Sequence, residues 1–310
     1  MSTLMNTTVL LVGHGSRHAE GNREIELFAT QWRSKNPHWK IQVCFIEFAE
    51  VLLDTGLELA ARSAARVIVV PLILNAAGHV KMEIPQYIDR ARKQFPQVEF
   101  IYARHLGAAE PILAILKRNL RNIMMTMDMP DPKSTGVILL GRGSSDRVAN
   151  GEVAKMARWI FEVSDHERVD IAFTGITYPR LETVVKQQQR LGLTQIAILP
   201  YYLFTGTLIE RIQRQVARLQ QQYPQIHMSC GSYFGFEEEI YRLLSDRVLE
   251  AHDPVSHQES GMMECDGCAF RELAQEQGHG HHHHDHHNHD HSHDHSHIRE
   301  HHEHEHEHQK

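Results

Sequence analysis

The sequence predicts two tandem α/β domains, each built on a parallel β-sheet with helices on both faces. An internal repeat is the first observation: VLLVGHGS at residues 9–16 returns as VILLGRGS at residues 137–144. The second is that short apolar runs alternate with longer amphipathic runs, which is the pattern of parallel strands joined by helices. The third is that runs such as VIVVPLIL (67–74) are almost entirely apolar, as expected of strands covered on both faces.

Four strand–helix pairs are predicted in the first half. They are strand 9–13, helix 22–35, strand 41–48, helix 54–65, strand 67–74, helix 83–94, strand 98–103 and helix 110–122. Right-handed crossovers between successive strands make this a single parallel sheet. Residues 1–125 are therefore predicted to be an N-terminal domain. A linker over 126–136 follows, because that segment holds two prolines and several turn-forming residues.

The second half repeats this order over residues 137–250. The predicted elements are strand 137–141, helix 150–163, strand 169–176, helix 180–191, strand 196–203, helix 207–222, a strand within 226–234 and helix 236–250. We expect the two equivalent domains to face each other across a cleft. A segment at 251–278 contains MECDGC. The segment after it, 279–310, is rich in histidine and poor in apolar residues, which predicts disorder in the absence of metal.

Composition argues against several classes of partner. The net charge of −7 comes from an acidic excess after residue 250, so the rest of the chain lacks the concentrated basic face of a nucleic-acid-binding protein. No stretch approaches the roughly 20 apolar residues of a membrane span, and the first residues do not resemble a signal peptide. Four cysteines do not form a disulfide framework in a chain of this length, and we expect Cys44 and Cys230 to be core thiols. A cytoplasmic location is expected.

The two copies differ in chemistry at three matched positions. The first copy has His14, Glu47 and His79 where the second has Arg142, Gly175 and Thr207. Each first-copy residue falls at or just beyond the carboxyl end of a predicted strand, where open α/β sheets bind ligands. Two imidazoles and a carboxylate suit a divalent metal such as Co²⁺, Fe²⁺, Ni²⁺ or Zn²⁺, and three protein ligands leave coordination positions open. The sequence therefore predicts a metal site in the first half only.

Simpler interpretations exist for the same residues. A single histidine in a loop is usually a solvated polar group, and a GHGS turn can present backbone N–H groups to a phosphate. The turn is too short for a dinucleotide-binding fingerprint, and nothing in the chain resembles a P-loop. The joint placement of the three residues, and their joint replacement in the second copy, favour the metal.

Longer motifs carry a resemblance to a known family. VLLVGHGSR, FIEFAE, VPLILNAAGHVKMEIP and MECDGC resemble the sirohydrochlorin chelatases of the cobalamin and sirohaem pathways, and in particular their long, tandem CbiX form. The resemblance covers essentially the whole chain. It implies a chelatase-like fold of two Rossmann-like α/β halves flanking a cleft. It also implies insertion of Co²⁺, or Fe²⁺ in sirohaem-forming relatives, into sirohydrochlorin, with His14 and His79 handling the metal and Glu47 as their acidic partner.

The chemistry of metal insertion fits these residue types. The metal must lose water and reach the ring face, and two pyrrole protons must leave. Imidazoles can hold the cation loosely, and a carboxylate or a metal-free histidine can act as general base. Because the substrate is rich in carboxylates, cations are expected at the cleft rim, and the candidates are Arg17, Lys81 and Arg142. Each of them is also compatible with an ordinary surface charge. No ATP and no covalent intermediate are expected.

The C-terminal motifs suggest further metals. By itself the pair Cys265 and Cys268 is compatible with a redox pair, half of a zinc site or half of an iron–sulfur site, and a [4Fe–4S] cluster takes four thiolates. The resemblance implies an iron–sulfur centre at Met263, Cys265 and Cys268, shared within a homodimer if a second subunit completes it. Histidines in 279–310 alternate with acidic and polar residues, unlike a purification tag. We expect them to bind several divalent ions and to raise the metal concentration near the site by tethering.

The leading hypothesis is a lyase of the chelatase type, a sirohydrochlorin cobaltochelatase of anaerobic cobalamin biosynthesis. A sirohydrochlorin ferrochelatase is the close alternative. A non-catalytic metal-storage or metallochaperone protein is the alternative from another class, and it leaves the matched placement of His14, Glu47 and His79 unexplained.

Overall fold

The computed structural model describes residue 4 and residues 6–127 and 130–253. The motif with Met263, Cys265 and Cys268 and the histidine-rich segment 279–310 lie outside the described residues. Within the described part of the chain, no helix is both long and apolar enough to cross a membrane.

Strands and helices alternate from one end of the described chain to the other. They are β1 (Thr7–Gly13), α1 (Ala19–Lys35), β2 (Lys40–Phe45), α2 (Leu53–Ala61), β3 (Arg66–Pro71), a π-helical turn (His79–Glu83), α3 (Ile84–Gln94), β4 (Glu99–Tyr102), α4 (Glu110–Met125), β5 (Thr135–Gly141), α5 (Arg147–Glu162), β6 (Val169–Phe173), α6 (Leu181–Arg190), β7 (Gln195–Pro200), α7 (Thr207–Gln222), β8 (His227–Cys230) and α8 (Glu238–His252).

The strands form two parallel four-stranded sheets of identical topology. Their orders are β2-β1-β3-β4 and β6-β5-β7-β8. The central strands β1 and β5 are buried along their whole length, which explains why their sequences are apolar without alternation. Because β1 lies between β2 and β3, the carboxyl ends of these three strands meet at one edge. The predicted α/β class and the parallel sheets are confirmed.

Several predicted boundaries differ from the observed ones. The first helix begins at Ala19 rather than at Asn22. The side-chain amide of Asn22 exchanges two hydrogen bonds with the backbone of Ser16, at 2.8 and 3.1 Å. The third strand ends at Pro71, and the predicted linker 126–136 is shortened because β5 begins at Thr135. The π-helical turn before α3 was not predicted.

The last helix of each half crosses to the other half. Helix α4 packs against β7 and α5 of the second half, and α8 packs against β3 and β4 of the first. Arg247 of α8 illustrates the exchange, since its guanidinium donates to the backbone carbonyls of His105 and Leu106 at 3.1 Å each. Both halves therefore contribute to one continuous apolar core between the sheets. The two copies of the repeat therefore pack with their last helices exchanged.

Candidate functional site

Three loops at the carboxyl edge of the first sheet bring His14, Glu47 and His79 together. One ligand atom from each of these residues lies within 4.8 Å of the other two. The imidazole rings of His14 and His79 are 4.6 Å apart and meet edge to face, and Nδ1 of His14 is 3.5 Å from Oε1 of Glu47. All three side chains are partly exposed. Among the described residues this is the one cluster of histidine, cysteine or acidic groups with the spacing of a metal site.

Gly15 explains how the first two loops come so close. Its φ of +88° is in the left-handed region, and a Cβ atom at this position would lie 1.7 Å from the carbonyl oxygen of Glu47. The amide of Glu47 also donates to the carbonyl of His14 at 3.2 Å. Glycine at position 15 therefore allows the backbone that carries Glu47 to pack directly on the turn that carries His14.

His14 is held as a neutral imidazole. Its pKa is lowered to about 4, first by burial and next by the proximity of His79, with a smaller contribution from Arg142. Nη1 of Arg142 lies 3.3 Å from Nε2 of His14, and because a guanidinium can only donate, that nitrogen must accept. The proton then resides on Nδ1, which is 3.1 Å from the carbonyl oxygen of Gly15. The lone pair of His14 therefore faces the second half of the molecule.

Glu83 orients the second histidine and was missed in the sequence. Nδ1 of His79 lies 2.5 Å from Oε2 of Glu83, four residues later. A carboxylate bonded to one ring nitrogen holds the proton there and leaves the other nitrogen free to bind a metal, an arrangement common among metal-binding histidines. The sequence signal for this contact was the spacing of four residues between His79 and Glu83 in HVKME. A helix places residues at this spacing on one face.

Two of the three predicted rim cations are exposed near the site. Arg142 is exposed and touches His14 from the opposite half, although the two residues occupy equivalent positions in the repeat. Arg17 is also exposed, and its guanidinium lies 4.7 Å from the centre of the Phe48 ring.

Lys81 does not occupy the predicted rim position. Its side chain is only 9% exposed, and its amino group donates at 2.6 Å to Asp146, whose side chain is 5% exposed. Asp146 also caps α5 by accepting from the amide of Val148. This buried ion pair joins the two halves, and a weaker contact between His18 and Glu210 does the same nearby. The amino group of Lys81 is thus paired in the interior and does not lie at the rim as the substrate contact that the sequence predicts.

The second half repeats the glycine turn of the first half but lacks the histidine and the glutamate beside it. Gly143 has a φ of +86°, and a Cβ there would lie 2.4 Å from the carbonyl oxygen of Gly175. The backbone geometry of the first half is therefore repeated where Arg142 and Gly175 replace potential ligands. Cys44 is buried, as predicted, whereas Cys230 is only partly so.

Fold and site together define a duplicated α/β protein in which one half carries a partly exposed cluster of two histidines and a glutamate with the spacing of a metal site. A family model described as CbiX matches residues 8–123 and again residues 136–251. The chain belongs to the CbiX family.

The similar proteins match most of the chain. The sirohydrochlorin cobaltochelatase of Priestia megaterium is 37% identical over 265 residues, which are 85% of this chain and 84% of that protein. The sirohydrochlorin ferrochelatase of Bacillus subtilis strain 168 is 28% identical over 271 residues, covering 87% of this chain and all of that protein. The structure of SirB from Bacillus subtilis with Fe³⁺ superposes with a TM-score of 0.71 at 28% identity, covering 82% of this chain and 98% of that one.

Proposed function

We propose that this protein is a sirohydrochlorin chelatase that inserts Co²⁺ into the ring. The observation that carries the proposal is the cluster of His14, Glu47 and His79, which lies partly exposed at the edge where the two halves meet. Three protein ligands hold a divalent ion without saturating it, so the ring nitrogens can replace its remaining waters. Membership of the CbiX family supports the same conclusion.

Each residue of the site has its own role in the proposed metal transfer. His14 is neutral well below pH 7, so its lone pair is available to the incoming ion. Glu83 fixes the proton of His79 on Nδ1 and directs the other nitrogen away from itself. As the metal passes to the ring, the pyrrole protons need an acceptor. We assign the role of general base to the carboxylate of Glu47, which lies 3.5 Å from His14.

Arg142 links metal binding to ring binding in this proposal. In the metal-free protein its guanidinium donates to the nitrogen of His14 that the metal needs. A divalent cation at that nitrogen replaces and repels Arg142, which is then free to bind a carboxylate of the ring. Arg17, exposed on the first half, is the second cation proposed to bind an edge carboxylate.

The choice of cobalt over iron follows the relative of higher identity. The 37% identical protein is a cobaltochelatase, and the 28% identical protein is a ferrochelatase. Two histidines and one carboxylate accept both ions, so ligand type does not decide between them. The test supplies sirohydrochlorin with Co²⁺, Fe²⁺ or Ni²⁺ in separate reactions and follows the absorbance change. Fastest turnover with Fe²⁺ would replace the cobalt assignment with the ferrochelatase alternative.

Substitution at the site separates an enzyme from a metal-storage protein. His79→Ala should abolish metal insertion while metal binding by the histidines of 279–310 persists. His38→Ala is the matched control, because His38 is an exposed histidine outside the cluster, and it should keep wild-type activity. If no metal is inserted by the wild-type protein, the enzyme proposal is wrong and the storage function is favoured.

We also propose that Cys265 and Cys268 hold an iron–sulfur cluster, completed by a second subunit. The support is the family resemblance of the MECDGC motif. Metal insertion involves no net electron transfer, so the cluster has no assigned catalytic step. The test uses anaerobically purified protein. Its iron and sulfide content and its absorption spectrum test for the cluster, and its molar mass tests for the homodimer. Zinc in place of iron would contradict the proposal.

A further inference from the structure

Two apolar residues beside the site have an unfavourable backbone conformation. Among the described residues, the non-glycine residues with positive φ are Asn6, Phe48 and Ile176. Asparagine tolerates this region, whereas a bulky aromatic residue and especially a β-branched residue do not. Phe48 has a φ of +52° and Ile176 a φ of +61°. The amide of Thr177 donates to the carbonyl of Gly175 at 2.6 Å, which places Ile176 at the centre of a strained γ-turn.

Phe48 and Ile176 occupy equivalent positions in the repeat. Phe48 follows Glu47, and Ile176 follows Gly175, which is the counterpart of Glu47. Both side chains are large and apolar, yet they are 44% and 58% exposed. The metal ligands differ between the halves, but this exposed apolar turn is present in both.

Folding alone does not account for these residues. Glycine adopts a positive φ without strain and would expose no apolar surface. Strained residues that a fold retains cluster where a ligand is bound. The turns lie against the loops of His14 and Arg142, whose carbonyls accept from the amides of Glu47 and Gly175. Phe48 and Ile176 therefore directly follow the two backbone segments that contact the turns of His14 and Arg142.

Guanidinium groups accompany the apolar turns on both halves. Arg17 lies over the Phe48 ring, and Arg180 lies 4.6 Å from the ring centre of Tyr178, which is 73% exposed. Nη1 of Arg180 is buried and has no hydrogen-bond acceptor within the part of the chain that the structure describes. A buried guanidinium nitrogen without an acceptor suits an incoming carboxylate. Each half thus offers apolar surface with a cation beside it.

We propose that Phe48 and Ile176, one from each half, are the apolar contacts that position a flat ring over the metal site, and that Arg180 binds a carboxylate at the edge of that ring. This inference rests on the proposed function and deepens it. The pattern selects ligands with an apolar centre and an acidic rim, and it makes Phe48 and Ile176 positioning residues.

The test uses glycine substitutions, which separate a binding role from a structural one. In Ile176→Gly and Phe48→Gly the strain disappears, so the melting temperature should stay equal to that of the wild type or rise. The affinity for metal-free sirohydrochlorin, measured by its fluorescence on titration with the full chain, should fall about 5- to 20-fold. Ile176→Phe should restore binding, because it returns an apolar side chain to the turn. Arg180→Gln should weaken binding of the ring without changing the affinity for Co²⁺.

Leu191→Ala is the matched control. Leu191 is 63% exposed and follows α6, whose C-terminal end lies at the sheet edge opposite to the site. This variant should bind the ring as the wild type does. If both glycine variants bind the ring with unchanged affinity, the inference is wrong. The proposed function still holds in that case if the wild-type protein inserts the metal. A fall in melting temperature together with affinity, without rescue by Ile176→Phe, would also overturn it. If the wild-type chain does not bind sirohydrochlorin, the proposed function itself is wrong.

Discussion

Replacing Gly15 by alanine should disable the metal site through the backbone rather than through a ligand. A methyl group at this position meets the carbonyl oxygen of Glu47 at 1.7 Å, whereas real Cβ contacts are essentially never under 3.0 Å. The two loops must therefore separate by about 1.3 Å. A displacement of about 1 Å at a reacting group can lower a rate by about 100-fold. We expect Gly15→Ala to lose about that factor in the rate of metal insertion, although every ligand is retained.

The stability cost of Gly15→Ala has two sources. A left-handed backbone costs a residue with a Cβ about 1–2 kcal/mol, and overpacking costs about 1–3 kcal/mol. The sum of about 2–5 kcal/mol corresponds to a melting temperature lowered by roughly 4–20 °C in a chain of this size. The variant should still fold under mild conditions, so activity and stability can be measured on the same preparation.

Two other glycines provide the controls. Gly143→Ala repeats the clash at 2.4 Å in the second half, so it should lose comparable stability but less than tenfold in rate, because no metal ligand moves. Gly151→Ala lies in α5 with no atom within 4 Å of the added Cβ, so it should stabilise the protein by about 0.5–1 kcal/mol. The assay follows metal insertion by absorbance and unfolding by calorimetry. Wild-type rates in Gly15→Ala, or equal rate losses in Gly15→Ala and Gly143→Ala, would refute this reasoning.

Three other changes test the electrostatics and the C-terminal segment. The pKa of His14 is about 4 in the folded protein and 6.5 when unfolded, so stability should fall as the pH drops from 6.5 through 4. A His14→Gln variant should show a smaller fall in thermal melts, and identical pH profiles would contradict this account. Lys81→Ala removes the ion-pair partner of the buried Asp146 carboxylate and should lower the free energy of unfolding in urea by about 3–5 kcal/mol. Lys35→Ala removes an exposed ion pair and should lower it by at most about 1 kcal/mol. Equal losses of stability in the two variants would argue against a buried pair. Deletion of residues 279–310 should leave turnover unchanged at saturating metal and lower it when cobalt is scarce, and an equal loss in both conditions would exclude metal delivery.

Local patterns were sufficient to predict the two sheets. The central strands are apolar throughout because helices cover both faces, and the repeat of VLLVGHGS as VILLGRGS showed that the arrangement occurs twice. The exchange of α4 and α8 was not predictable in this way. An amphipathic helix shows that one face is buried, but it does not show which of two similar sheets covers that face.

The site was predictable where topology alone brings residues together. Strand ends converge in a parallel sheet, so His14, Glu47 and His79 could be grouped from their positions after three strands. The position of Lys81 depends on Asp146, a residue 65 positions away in the other half, and no local pattern reports that contact. Phe48 and Ile176 were overlooked because an exposed apolar residue has no periodicity, and backbone strain is invisible in a sequence.

The exchanged helices also determine when the site can form during synthesis. The ribosome releases the first half well before α8 (Glu238–His252), yet α8 covers β3, the strand that precedes the loop of His79. A nascent chain that ends after α4 therefore has an incompletely covered first sheet and loosely held ligand loops. The first sheet can therefore complete its cover only after α8 has been synthesised. We therefore expect the cluster of His14, Glu47 and His79 to become ordered late in synthesis, once α8 packs on β3.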